Sequence, residues 1–491
     1  MVRIFKVSIP TSVITLVVSE ILLLFGCYIA AGYFTVEEPQ DVFLTVDNGL
    51  WRIALVVAVV MVGLYFNDLY DDFRIKSRIL LVQQVSVMLG LAFVLQSALS
   101  YARSDLLLPK WVMAYGSAAV LVMLPTWRIL FAGVVSKALG SQRLLFLGSS
   151  PAVREIVAQI AERPDLGLKA IGYLYAPEDD PAAVPLRAML PDPYETSSYG
   201  GAVASVAAAR EIEGIPALGT IEDLDAVIAA HRPDRIVVGM SERRRRLPVE
   251  RLLHLRFSGI HIEEASVTFE HIFHRVSTRD LRPSQLIFST ELGPRPRSVA
   301  VQSLYSWVLG LILLLIALPI MAVVAVLVRM TSPGLVLFRQ RRVGLNGEVF
   351  QVLKFRSMFQ DAEARTGAVW ATRDDPRITP LGKWLRRLRL DELPQLFNVV
   401  RGEMSLVGPR PERPEFVEIL QEKIPYYAQR NCVKPGITGW AQINYKYGDT
   451  IEDSLRKFEF DLYYIKNLAV SLDLYILFHT AKIMLLGRGA Q

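Results

Sequence analysis

The sequence predicts a membrane α/β protein: a four-helix transmembrane unit, a doubly wound Rossmann-like α/β domain, and a second α/β domain that opens with a re-entrant membrane helix. Three observations predict it. Four apolar runs of about bilayer length fall within residues 1–135. Strand-like and helix-like segments alternate through 141–265. A further apolar run, about 304–328, begins a polar region that occupies 301–491. A chain of 491 residues with 52% hydrophobic content is too apolar for an ordinary soluble protein of its size. The formal charge of +6 suits an anionic lipid face or phosphorylated ligands. Its basic residues cluster beside apolar helices, so membrane lipids are an expected partner and nucleic acid is not.

The first four apolar runs are Thr11–Phe34, Trp51–Phe66, Ile79–Ser100 and Trp111–Phe131. The first is long enough to span and has no small-residue cleavage site after a short core, so no cleavable signal is expected. Arg3 and Lys6 precede it, and Glu37, Glu38, Asp41 and Asp47 follow. Arg74, Lys76 and Arg78 precede the third run, while Lys137 and Arg143 follow the fourth. The positive-inside rule then puts both ends of the unit in the cytoplasm, although Arg103 and Lys110 run against the trend. Glu20 is an acid inside a span and hence a functional candidate; the plainer reading packs it near Gln83 or Gln84. Cys27 and Cys432 are too few for a disulfide framework or a zinc site.

In 141–265, Arg143–Gly148, Ala170–Tyr175 and Arg235–Gly239 read as buried strands, with Pro151–Arg163 and Ile221–Ala230 helical. The Pro-, Ala-, Ser- and Gly-rich stretch 181–201 reads as an insertion. The turn after the first strand has serine and valine where a dinucleotide fingerprint needs glycines, so a structural or regulatory module is expected there. The four arginines at 243–246 read as a solvated loop or an anion patch. Residues 266–300 read as a linker, Pro- and Arg-rich at its end. The run 304–328 has basic flanks on both sides, and Pro319 removes a backbone hydrogen bond near its middle. A helix that enters the membrane, bends at Pro319 and returns satisfies both facts, whereas a fifth span would export the C-terminal domain.

Past this run, 335–338 and 348–353 read as short strands joined by the turn 344–347. A basic amphipathic helix is expected over Leu381–Leu390, followed at once by the acid pair Asp391 and Glu392. Carboxylates can act as nucleophile, base or metal ligand, and Lys354, Arg356, Arg386 and Arg410 can offset a phosphate's charge. Arg410 sits between two prolines, Pro409 and Pro411. The plainer alternative makes the pair a helix cap and first-turn acid ahead of Leu393–Val400.

The motifs Lys354-Phe355-Arg356-Ser357-Met358, Leu390-Asp391-Glu392-Leu393-Pro394-Gln395-Leu396-Phe397-Asn398 and Met404-Ser405-Leu406-Val407-Gly408-Pro409-Arg410-Pro411 resemble those of the monotopic phosphoglycosyl transferases. Lys434–Gln442 and Phe460-Asp461-Leu462-Tyr463-Tyr464 extend that resemblance over about 300–490. The layout resembles the large members that initiate exopolysaccharide or O-antigen synthesis at the bacterial inner membrane, with a cytoplasmic catalytic domain. The resemblance implies that Asp391 attacks the β-phosphorus of a UDP-sugar, expels UMP and passes the sugar phosphate to undecaprenyl phosphate. It implies Glu392 as helper through Mg2+, with Asp391 as a second metal ligand. Lys354, Arg356, Arg386, Arg410 and Pro411 take phosphate-site positions, and Pro319 takes that of the re-entrant helix break. Leu318 departs from the serine that small members carry before this proline. Glucose or galactose is the expected sugar, with acetamido sugars open. Oligomeric state stays open too, a homodimer included. The rival readings are a non-catalytic membrane scaffold, which would be free to lose Asp391, Lys354 or Arg410, and a polytopic transferase, which the large polar C-terminal region disfavours.

Overall fold

The computed structural model describes residues 2–37, 39–70, 78–135, 141–163, 166–175, 211–212, 214–240, 247–279, 293–360, 375–445, 448 and 450–486. The insertion at 181–201, the arginine run at 243–246 and residues Glu38, Arg74, Lys76 and Lys137 lie outside these. Two compact units form, one from Ser8–Glu264 and one from Arg3–Val7 with Ala265–Gln491.

The first unit begins with four apolar helices, Thr11–Thr35, Gly49–Phe66, Arg78–Ala102 and Lys110–Leu130. All four are long and apolar enough to cross a membrane. Even the shortest, with 18 residues, reaches about 27 Å at the helical rise per residue. They share a core that includes Leu24, Tyr28, Ile53, Val60, Val85, Val120 and Leu124. Gly116 lets the first and fourth helices meet closely, because a Cβ there would stand 2.3 Å from the Tyr28 ring. Glu20 does not pack on Gln83 or Gln84. Its carboxylate takes Arg128 Nε at 2.6 Å and Nη2 at 3.0 Å, and the Tyr70 hydroxyl at 2.6 Å. An ionised acid away from water needs a counter-charge, which an amide does not supply.

The α/β part of this unit is a six-stranded sheet. Its order runs Glu211–Ile212, Ile215–Thr220, Leu168–Tyr175, Gln142–Leu147, Arg235–Val238, His261–Glu264, parallel except for the first edge strand. The central strand is fully buried from Leu144 to Leu147, which explains its unbroken apolar run. The strands at Ile215 and His261 escape sequence reading because Pro, Gly and acids interrupt them. At the point where the strand order reverses, Ser150 N–H donates to the Gly239 carbonyl at 3.0 Å. Gly148, at φ +90°, admits this approach, since a Cβ would stand 2.7 Å from that same oxygen. The loops at this switch point are therefore joined by their own backbone.

In the second unit, the expected linker 266–300 is structured at both ends. Helix Ala265–Phe273 buries Phe269. Arg275 then pairs with buried Glu459, and Thr278 N–H donates to Glu459 Oε1 at 3.0 Å. Alternating apolar and charged residues hide this docking from a composition-based reading. At the other end, helix Pro296–Thr331 is continuous for 36 residues with Pro319 inside it, so the break expected at Pro319 is not seen. One stripe of this helix, Gln302, Ser306, Gly310, Leu314, Ala317, Met321, Val324 and Val328, is buried at helical spacing. The other faces expose Leu304, Trp307, Ile312, Leu315, Ile316, Ile320 and Val323.

The hairpin Leu337–Val343 and Val349–Phe355 follows, with Lys354 opposite Phe338. Its first strand extends through Arg339–Arg342, whose side chains are exposed or half-buried, so the apolar cue marked only its start. The expected helix 381–390 is Pro380–Arg387, capped by Thr379 Oγ1 accepting from Gly382 N at 2.9 Å. It ends early because Arg389 turns left-handed, at φ 57°. The remaining core gathers Trp440, Phe458, Tyr463, Tyr464, Leu472 and Ile476 from three C-terminal helices, Trp440–Asn444, Ile451–Lys466 and Val470–Leu485. These hold the two-stranded parallel ladder of Ser405–Val407 on Gly436–Thr438.

Candidate active site

The acid pair sits on a tight turn between two helices. Leu390–Glu392 forms one 3-10 turn, and Pro394 then starts helix Gln395–Val400. The pair caps neither element by a side-chain hydrogen bond. The capping alternative therefore gives no account of these acids.

Glu392 meets cations from distant parts of the chain. Glu392 Oε1 accepts from Lys354 Nζ at 3.3 Å and from Arg410 Nη2 at 3.1 Å. Arg389 Nη1 stands 3.9 Å from Oε2. Lys354 arrives on the second hairpin strand and Arg410 on the loop after the first strand of the parallel ladder. Asn398, fully buried, ties the helix behind the acids to that hairpin strand. It accepts from Leu353 N–H at 3.1 Å and donates to the Gln351 carbonyl at 2.8 Å.

The two acids differ in electrostatics. Burial pushes the Glu392 carboxyl up, but Arg410, Lys354 and Arg389 outweigh burial and hold it well below the ordinary range. Asp391, only 8% exposed, is raised by burial and then by the neighbouring Glu392 charge, against the pull of Lys354, Arg386 and Arg389. Burial in turn lowers the Lys354 ammonium, with Arg410 and Arg342 adding to it and the two acids opposing. Four cations, Lys354, Arg386, Arg389 and Arg410, thus act on two carboxylates. A surplus of positive charge around one permanent anion and one easily neutralised acid suits a polyanionic ligand.

The other predicted residues take different places. Arg386 lies close enough to act on Asp391, and its Nε donates to Ser357 Oγ at 2.9 Å. Arg356 turns away to the end of the long helix, with Nη1 on the Pro333 carbonyl at 2.7 Å and Nη2 on the Ser332 carbonyl at 2.6 Å. Pro411 contributes its carbonyl to Arg342 Nη1 at 2.9 Å. Pro319 stays in the long helix. Residues that sequence reading passed over are Arg389, Arg342, Asn398 and Arg430. Arg389 and Arg342 read only as charges of the basic helix and of the long helix's flank, Asn398 stood within a quoted motif, and nothing in the sequence pattern singled out Arg430.

A buried acid beside a cation-held partner, in a unit opened by a long apolar helix, defines a membrane-associated enzyme that handles anionic substrates. Residues 297–487 match the family described as bacterial sugar transferase. A UDP-glucose:undecaprenyl-phosphate glucose-1-phosphate transferase of Klebsiella pneumoniae is 30% identical over 474 residues, covering 94% of this chain and 93% of the relative. A UDP-N-acetylgalactosamine-undecaprenyl-phosphate N-acetylgalactosaminephosphotransferase of Aeromonas hydrophila is 40% identical over 276 residues, 56% of this chain and 62% of the relative. An undecaprenyl-phosphate glucose phosphotransferase of Komagataeibacter xylinus is 47% identical over 185 residues, 36% of this chain and 35% of the relative. The chain therefore spans less than two thirds of the Aeromonas and Komagataeibacter proteins and nearly all of the Klebsiella one. The chain belongs to the bacterial sugar transferase family.

Proposed function

We propose that the protein transfers a hexose 1-phosphate from a UDP-sugar to undecaprenyl phosphate and releases UMP, as the first membrane step of a surface polysaccharide. The observation that carries this reading is the Glu392 carboxylate held by Lys354 and Arg410 beside buried Asp391. A carboxylate oxygen of Asp391 attacks the β-phosphorus, the bond to the UMP oxygen breaks, and an aspartyl phosphosugar forms. A phosphate oxygen of the lipid then attacks the same phosphorus and frees Asp391. Lys354, Arg386 and Arg410 offset the diphosphate charge as it shifts. Arg356 supports the site from behind by holding the Ser332 and Pro333 carbonyls.

Asp391 and Glu392 fit Mg2+, which takes one or two carboxylates and completes its shell from substrate oxygens and water. Among the described residues no group of three or more His, Cys, Asp or Glu side chains could hold a metal alone, so the substrate diphosphate would complete the site. Bound there, the ion would offset charge on the leaving phosphate. Held below the ordinary carboxylate range, Glu392 stays an anion for that role.

The four apolar helices of the first unit are proposed to span the inner membrane. The long helix is proposed to enter the membrane and return by a kink at Pro319 within its continuous helical run, its buried stripe packed on the catalytic core. Cysteine placed at Thr331 should label from the cytoplasmic side only; labelling from the periplasm would overturn this topology. Glucose is the first sugar to test, then galactose and N-acetylgalactosamine. Membranes with the wild-type chain should release UMP from one of these UDP-sugars, and membranes with Asp391→Asn should not. No release across the panel would leave a scaffold as the better reading, although the convergence of the acids and cations speaks against that now.

A further inference from the structure

The loop that delivers Arg410 has its carbonyls bound from behind. The Val407 carbonyl accepts from Gln302 Nε2 and from the Tyr464 hydroxyl, both at 3.3 Å. The Pro411 carbonyl accepts from Arg342. The carbonyl of Arg410 itself accepts from Arg430 Nη2 at 2.9 Å. Arg430 is 5% exposed. Its Nη2 and Nε also reach Asp461 Oδ2 at 2.8 and 3.2 Å, and its Nη1 donates to the Tyr427 hydroxyl at 2.7 Å.

This is a planar fork with three destinations, a task an ammonium cannot perform. The prolines on either side already restrict the backbone: Pro409 and Pro411 have fixed φ, and Arg410 precedes a proline. Arg430 then anchors the Arg410 carbonyl within the range those prolines allow. Asp461 in turn fixes the Arg430 fork from helix Ile451–Lys466. Resting on the transferase reading above, we infer that Arg430, oriented by Asp461, is a positioning residue that sets the Arg410 guanidinium against Glu392 and the substrate diphosphate. Neither residue touches substrate in this account.

Arg430→Lys tests it, because it keeps a positive charge opposite Asp461 and loses the fork. Asp461→Asn is the second variant, keeping the shape and an acceptor oxygen. Two readouts are needed. In kinetics, Arg430→Lys should lower kcat/KM for UMP release about tenfold, the size of one lost charge-assisted hydrogen bond expressed in rate. Added to Arg410→Ala, it should cost nothing further, since it acts through Arg410. Wild-type kcat/KM in Arg430→Lys, or losses that multiply in the double variant, would overturn the inference.

The second readout is independent of turnover. Gly408 N–H donates to the Thr438 carbonyl and Gly436 N–H to the Pro409 carbonyl, both at 2.9 Å. Amide exchange at Gly408 and Gly436 should speed up in Arg430→Lys while the unfolding midpoint holds. Unchanged exchange at both amides would also overturn the inference. Faster exchange in a chain whose wild type releases no UMP would count against the transferase reading alone and support the positioning role.

Discussion

Glu20 and Glu392 are both acids surrounded by protein, and their surroundings differ in one respect. Glu20, fully buried in the helix bundle, meets one guanidinium and one phenol, and the rest of that guanidinium goes to the Leu69 carbonyl. Its charge is balanced. Glu392 shares its surroundings with Lys354, Arg389 and Arg410, and Arg386 acts on the neighbouring Asp391. Here positive charge exceeds negative. A balanced buried pair fixes a structure and offers nothing to a ligand. An unbalanced group is costly until an anion arrives, and that is the signature of a site.

The contrast can be broken at either end. The largest effect should come from Asp391→Asn, which removes the proposed attacking oxygen and should lower UMP release by at least about a thousandfold with the fold intact. Turnover within tenfold of wild type would remove the nucleophile from the account. Next is Glu20→Ala, which strands the Arg128 charge and should cost about 3–5 kcal/mol in detergent unfolding. Replacing both Glu20 and Arg128 by Met should return most of that loss. A double variant as unstable as the single one would mean that the pair does more than balance itself. Asn398→Ala should cost about 1–3 kcal/mol, because the Leu353 N–H and the Gln351 carbonyl lose their buried partner. It should also lower activity, since the strand it releases carries Lys354.

The smallest effect is on pH dependence. The proposed attack needs the Asp391 carboxylate, and burial with the Glu392 charge raises its protonation point above the ordinary aspartate value. The rate is therefore complete above that raised point and lost as pH falls through it. Arg386→Gln removes a cation that lowers it, so the acid limb should move to higher pH. Glu392→Gln removes a like charge, so any residual activity should show the limb at lower pH. Limbs that stay in place in both variants would assign the titration to another group.

The sequence shows most plainly what depends on local pattern. The four apolar helices begin and end within a few residues of their expected bounds, because each is a long and predominantly apolar run. Asp391, Glu392, Lys354 and Arg410 were legible as a set only through their motifs, and the fold brings them together from separate elements. What stayed hidden depends on pairing across distance. Arg128 ends an apolar run and looks like a boundary charge until Glu20 is seen opposite. Arg356 looks like a phosphate ligand beside Lys354, yet it lies just past the end of strand Val349–Phe355, and its side chain takes the Ser332 and Pro333 carbonyls. Arg430 carries no local signal, and its importance lies in the Arg410 carbonyl twenty residues back in the chain.

The most direct test of the central claim is the intact mass of the purified chain after incubation with a UDP-sugar and Mg2+ in the absence of acceptor lipid. The account predicts one added hexose phosphate, located on the peptide that contains Asp391, absent in Asp391→Asn, and discharged when undecaprenyl phosphate is added. Turnover with acceptor but no adduct without it, or an adduct on any other residue, would contradict the account.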